Sequence, residues 1–261
     1  MSKTLSIASD SPLCVVEDSL FMNKATALAE ELGLPLLPAE QAGNAYALRL
    51  RYSVDGLALE GAGLSLRGDF RPLLRRAAPH QLSRELPVRA AKTKNIPQPT
   101  LIDATAGLGE DSFLLAAAGF HVTMFEYNPV TAALLSDALE RGAADPELAP
   151  ILSRMRLRTE NSINALRVCD CPPDVIFLDP MFPPRQKSSL VGKKLQLLQR
   201  LEPPCEAEDE LLRAALSAAP RKIVIKRPIK GPFLGGIKPS YSLLGKTVRY
   251  DCLLPPASKK S

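Results

Sequence analysis

Two short stretches of this chain carry residue types that could do chemistry. Asp179-Pro180-Met181-Phe182-Pro183-Pro184 begins with an acid and continues in prolines. Proline fixes φ, so such a turn holds the Asp179 carboxylate and the Pro180 carbonyl in set directions. Two acceptors so arranged suit an exocyclic base amine, whose lone pair is delocalised into the ring. Acceptors around its N–H groups favour the more tetrahedral, nucleophilic geometry. An aryl amine is barely acidic, whereas the alkylated ammonium is strongly so, and Asp179 is therefore an orienting acceptor first and a proton sink second. Phe182 could stack on the target base, a contact of about 1–3 kcal/mol, or could anchor the loop instead.

The second stretch is Leu101-Ile102-Asp103-Ala104-Thr105-Ala106-Gly107-Leu108-Gly109-Glu110-Asp111. A strand ending in Asp103 passes through a turn carrying Gly107 and Gly109 and enters a helix. Glycines there let the backbone approach a ligand, and the helix start offers unpaired N–H groups. A dinucleotide fits poorly. The third glycine of the G-x-G-x-x-G fingerprint is replaced by Ser112, and Glu110 and Asp111 would repel a pyrophosphate at the helix start. A cofactor with an adenosine and a cationic, amino-acid-like tail, such as S-adenosylmethionine, suits this loop better. A purely structural strand–turn–helix is the plainer alternative.

The elements that must position these residues alternate from Thr100 onward, as in a parallel sheet with crossover helices. His121 to Phe125 reads as the second strand and ends at Glu126. An acid about 20 residues after the glycine turn is placed for ribose hydroxyls, and Tyr127 beside it could lie against the adenine. Met155 to Thr159 forms a weaker strand, after which Asn161 and Ser162 could bond the adenine edge or cap the next helix. Asp174 to Leu178 is the clearest buried strand and delivers Asp179. Glu206 to Ala218 reads as a helix and Lys222 to Lys226 as a fifth strand. Tyr241 to Leu244 and Thr247 to Leu253 complete the domain as an antiparallel pair. The expected fold class is therefore α/β, a Rossmann-like sheet over 100–261. Residues 63–99 read as a basic connection, and 1–62 as a small α/β domain with a helix stopping at Gly33 and a hairpin through Asp55-Gly56.

With 261 residues, 46% hydrophobic and 23% charged, the chain is an ordinary globular one. No apolar run approaches the roughly 20 residues that span a bilayer, and the N-terminus lacks a signal peptide's apolar stretch. The expectation is a cytoplasmic protein without membrane contact. The five cysteines and two histidines show no metal-ligand spacing, so neither a metal nor a disulfide framework is expected. The net charge of +5 is unevenly spread. Arg75, Arg76, Arg89 and Lys92 belong to a cluster before the main domain, beside the expected mouth of the pocket. Arg185, Lys187, Lys193 and Lys194 follow the proline turn, and Lys226 and Arg227 end the fifth strand. All ten are candidate phosphate contacts, with solvated surface as the alternative. A base presented to Asp179 must leave its stack, which points to single-stranded or flipped RNA or DNA.

Taken together, DATAGLGED, MFEYNPV and LDPMFPPRQKSSLVGKK followed by IVIKRP resemble the ribosomal RNA small subunit methyltransferase J family. The likeness covers residues 100 to 253, more weakly 69 to 94, and does not reach 1 to 60. It implies a class I methyltransferase fold and S-adenosylmethionine as cofactor. The implied contacts are Glu110, Asp111, Glu126, Tyr127, Asn161, Ser162 and Asp179. The implied reaction is methylation of a guanine N2, at guanine 1516 of 16S rRNA, with small-subunit rRNA or the small ribosomal subunit as partner. The residues alone leave adenine N6, or a non-catalytic RNA-binding protein of this fold, as alternatives.

Overall fold

A computed structural model describes residues 12–180, 197, 201 and 207–255. These form two compact units. One holds residues 12–69 and 128–141, and the other holds 70–127, 142–180 and 207–255.

The first unit is built on a five-stranded sheet of order β2-β1-β3-β4-β5. β1 (Leu13–Val16) runs parallel to β2 (Leu36–Leu37) and to β3 (Leu48–Ser53). β3 turns through Val54-Asp55 into antiparallel β4 (Gly56–Gly61), the expected hairpin, and β5 (Leu64–Leu66) pairs with β4. The helix Met22–Leu32 stops at Gly33 as expected. The helix Pro129–Ala143 supplies this unit's main polar tie. Its Asp137 carboxylate accepts from the Leu57 amide at 2.9 Å and from Arg141 at 2.7 Å. A buried carboxylate so satisfied fixes register, because a shifted β4 would strand it.

The second unit has a seven-stranded sheet, order β11-β12-β10-β9-β6-β7-β8. Its strands are β6 (Thr100–Asp103), β7 (His121–Phe125), β8 (Met155–Arg158), β9 (Val175–Leu178), β10 (Lys222–Pro228), β11 (Tyr241–Leu244) and β12 (Val248–Leu253). β8, β7, β6, β9 and β10 are mutually parallel, while β12 runs antiparallel to both β10 and β11. This is the expected mostly parallel sheet with its terminal antiparallel pair. All four side chains of β9 are fully buried, because both faces of a central parallel strand are covered. Burying each contributes roughly 1.5–3 kcal/mol. Among the described residues, no helix is long and apolar enough to cross a membrane.

The strand order explains where a ligand can sit. From β6 the chain moves outward through β7 and β8, then returns to the other side of β6 as β9 and moves outward through β10. The reversal leaves a crevice at the carboxyl ends of β6 and β9.

Candidate active site

Each wall of this crevice comes from one strand end. At the end of β6, Asp103 is buried and accepts from Ser112 Oγ at 2.6 Å and from the Thr105 amide at 3.1 Å. Ser112, where a dinucleotide fold has glycine, thus ties the helix to the strand. Burial pushes Asp103 up to about 7, against those two hydrogen bonds. Gly107 has φ +55, and a Cβ there would meet no atom within 4 Å, so the turn presents bare backbone to open space. Gly109 (φ +77) starts the helix Glu110–Ala117, on which Glu110 is exposed and Asp111 partly buried.

At the end of β7, Glu126 is buried, and its Oε2 accepts from the Gly107 amide at 3.0 Å. That bond brings the second strand's acid to the glycine turn. Tyr127 beside it is exposed. Beyond β8, Asn161 caps the helix Ser162–Arg167 by accepting from the Ile163 amide at 2.9 Å, and Ser162 is buried. The capping alternative for Asn161 is therefore realised.

β9 delivers Asp179 and a buried Pro180. The Asp179 amide donates to Thr105 Oγ1 at 2.6 Å, which joins the proline turn to the glycine turn across the switch point. One strand over, the parallel register pairs Ile225 with Leu178, so Lys226 falls level with Asp179. Lys226 Nζ lies 2.7 Å from Asp179 Oδ2 and 2.8 Å from Asp111 Oδ2. Asp179 Oδ1 has no partner among the described residues. Burial pushes Asp179 above its ordinary value, Lys226 pulls it down and Asp111 pushes it up again. Burial alone would lower Lys226, but Asp179 and Asp111 together hold its ammonium well above the usual lysine range.

The basic residues fare differently from the charge reading. Lys226 spans two carboxylates. Arg227 is 3% exposed, with Nη1 3.0 Å from Glu208 and Nε donating to the Pro232 carbonyl at 3.1 Å. Both cations are thus engaged within the protein, Lys226 by two carboxylates and Arg227 by Glu208 and a carbonyl, where the charge reading expected phosphate contacts. Arg76 is held by both oxygens of Glu85 at 2.8 and 2.9 Å. Arg75 is exposed, as are Arg89 and Lys92 at the end of the helix Leu86–Ala91. The latter two do not flank the crevice. They line a cavity with Pro99 and Phe120, which precede β6 and β7, at the sheet's opposite end. Phe182, Arg185, Lys187, Lys193 and Lys194 lie outside the described residues.

The donor set fits the expected cofactor. Bare backbone at Gly107, a buried Glu126 and the carboxylates Asp111 and Asp179 offer acceptors for ribose hydroxyls and an amino group, and they disfavour a pyrophosphate. Comparison with known proteins decides the family. The family described as "Putative SAM-dependent methyltransferase" matches residues 69–255. The ribosomal RNA small subunit methyltransferase J of Thioalkalivibrio sulfidiphilus is 43% identical over 243 residues, covering 87% of this chain and 91% of that protein. The chain belongs to this methyltransferase J family. Its relative of the same name from Pseudomonas aeruginosa is 41% identical over 230 residues, covering 85% of this chain and 87% of that protein. Among solved structures, the SAM-dependent methyltransferase NGO1261 from Neisseria gonorrhoeae superposes with a TM-score of 0.71 at 31% identity. It covers 93% of this chain and 96% of its own.

Sequence reasoning missed Thr105 and the true partners of Lys226. Thr105 is an inconspicuous hydroxyl in a small-residue loop, and only the adjacency of β6 and β9 reveals its bond. The Lys226 pairing had a usable signal, because a parallel neighbour's strand-end lysine falls level with a strand-end aspartate.

Proposed function

We propose that this protein transfers a methyl group from S-adenosylmethionine to the exocyclic N2 amine of guanine 1516 in small-subunit rRNA. The observation that carries the reading is the 2.6 Å bond from the Asp179 amide to Thr105. It holds the acid-and-proline turn beside the glycine turn and Glu126. The methyltransferase J relatives support the substrate, since small-subunit ribosomal RNA is in their names.

In this reading Glu126 accepts from the ribose hydroxyls, the bare backbone at Gly107 allows close approach, and Gly109 turns the chain into the helix. Asp103 shapes the turn through Ser112 and Thr105. Tyr127, Asn161 and Ser162 border the adenine, and Glu110 and Asp111 complement the cationic amino-acid end. The cofactor supplies an electrophilic methyl on a sulfonium.

Asp179 Oδ1 and the Pro180 carbonyl accept from the two N–H groups of the guanine amine and aim its lone pair. When nitrogen takes the methyl, it sheds one proton toward Asp179 or water, and the amine leaves neutral. Lys226 is a positioning residue. By occupying Oδ2 it leaves Oδ1 for the substrate, and its charge keeps the carboxylate an acceptor. Phe182 stacks on the extruded base, and Arg185, Lys187, Lys193 and Lys194 contact phosphates.

The test is transfer of labelled methyl to small subunits from cells lacking the protein, with the Asp179→Ala variant as control. Label entering rRNA with the wild type but not with the variant is expected. Label entering protein alone refutes the substrate, and label at an adenine refutes the guanine assignment.

A further inference from the structure

At the amino-terminal end of the seven-stranded sheet lies a cavity of about 810 Å³, of a size that takes small organic ligands. It is separated from Asp179 by the length of the strands, roughly 13 Å for four residues. Its floor is apolar, with Val88, Ile96 and Phe120, while Arg89, Lys92 and Tyr241 supply charge and an aromatic ring. Among the described residues no acid lines it.

The charge around it is unbalanced. Within residues 70–99 the only acid is Glu85, which is committed to Arg76. Arg75, Arg84, Arg89, Lys92 and Lys94 are exposed and have no acidic partner among the described residues. Tyr241 is 39% exposed, and burial with a bond to Cys252 pushes its phenol up to about 12, so it bears no charge at neutral pH. Lys222 lies 6.0 Å from its ring centroid, and its ammonium donates to the carbonyls of Ala90 and Lys92. The lysine thereby holds the end of the Arg89 helix against the aromatic wall.

We propose that this groove is a second RNA site, which takes an unpaired nucleotide of the rRNA outside the methylated base and stacks it on Tyr241 while Arg89 and Lys92 hold its phosphates. An apolar floor, one exposed aromatic and unpaired cations are what a single-stranded nucleotide needs. A basic protein surface is disfavoured, because no acid among the described residues lines the groove to complement it. The inference rests on the rRNA reading above and deepens it. Substrate is gripped at both ends of the sheet, with chemistry at one and anchoring at the other.

The test uses the full chain and a labelled small-subunit rRNA fragment containing the target guanine. Binding is followed by anisotropy across a salt series, alongside steady-state methyl transfer. For Arg89→Glu with Lys92→Glu, a Kd and KM at least 10-fold higher are expected, with kcat within 3-fold. The double-logarithmic salt slope should fall by roughly 1–2. Tyr241→Ala should raise Kd about 5-fold with the salt slope kept, and Tyr241→Phe should restore it, since only the ring face stacks. S-adenosylhomocysteine affinity, measured by calorimetry, should stay at the wild-type value and certifies the fold. Wild-type Kd and salt slope in the charge-reversed variant overturn the proposal, as does a kcat loss with KM unchanged. If the wild type binds the fragment but methylates none, the rRNA methylation reading fails while the anisotropy still decides the groove.

Discussion

Among the described residues, the crevice at the carboxyl ends of the seven-stranded sheet and the cavity at its amino ends are lined by opposite charge. At the carboxyl ends of the strands stand Asp103, Asp111, Glu126 and Asp179, and Lys226 pairs with two of them, Asp111 and Asp179. The cavity at the amino ends has Arg89 and Lys92 and, among the described residues, no acid. A parallel sheet makes this possible, because every strand sends one loop to each end and the two loop sets vary independently. The acidic end suits a cationic cofactor and an amine that must lose a proton, and its glycine turn disfavours a pyrophosphate. The basic end has the converse chemistry. A net charge of +5 conceals this division, and a count of strand-end cations does not show that Lys226 and Arg227 have protein partners.

Breaking the acidic end should have the largest effect. Asp179→Ala is expected to lower methyl transfer by about 10²–10⁴-fold while leaving rRNA affinity within 2-fold, read by steady-state transfer beside anisotropy. Equal loss of both would mean that the two ends do not divide the work. Lys226→Met should come next, with kcat about 10–100-fold lower at neutral pH and the acidic limb of the pH profile moved upward. The direction follows from Asp179. Activity needs its ionised form, and removing the neighbouring ammonium leaves burial and Asp111 unopposed, which raises its pKa. Lys226→Arg should return most of the activity and the original limb. An unmoved limb in Lys226→Met would show that the lysine does not hold the carboxylate's charge.

Asp103 sharpens the comparison on the stability side. Its folded pKa of about 7 exceeds the ordinary Asp value near 4. Between those limits the native state binds more protons than the unfolded chain, so stability falls as pH rises through that window, by up to roughly 4 kcal/mol. Asp103→Asn removes this dependence. Its Tm relative to the wild type should therefore climb steadily from pH 4 to pH 7. A constant difference would mean that Asp103 ionises normally in the fold. The smallest effect belongs to Asn161→Ala, expected to cost about 1 kcal/mol through loss of the cap and to be seen in urea unfolding.

Much of the acidic end was legible in the sequence because its signals are local. Leu101 to Asp111 spells out strand, glycine turn and helix in one run, and Asp174 to Asp179 spells out a buried strand and its acid. The Ser53–Gly56 turn was legible for the same reason. β1 was not, because Leu13–Val16 is buried on both faces and four apolar residues have no alternation to read. The bonds of Lys226 to Asp111 and Asp179, of Arg227 to Glu208 and of Thr105 Oγ1 to Asp179 span chain separations of 19 to 115 residues, which no local pattern encodes. The amino-terminal cavity was hidden more deeply. Arg89 and Lys92 were visible as charge, but their end of the sheet follows from how the helix Leu86–Ala91 packs against the helix Glu110–Ala117 and β12.

The most direct test of the central claim is nucleotide-resolved mass spectrometry of small-subunit rRNA after incubation with labelled S-adenosylmethionine and either the wild-type protein or Asp179→Ala. An N2-methylated guanine at position 1516 is expected with the wild type and an unmodified base with the variant. A wild-type level of methylation by Asp179→Ala, or label at any other atom, would contradict it.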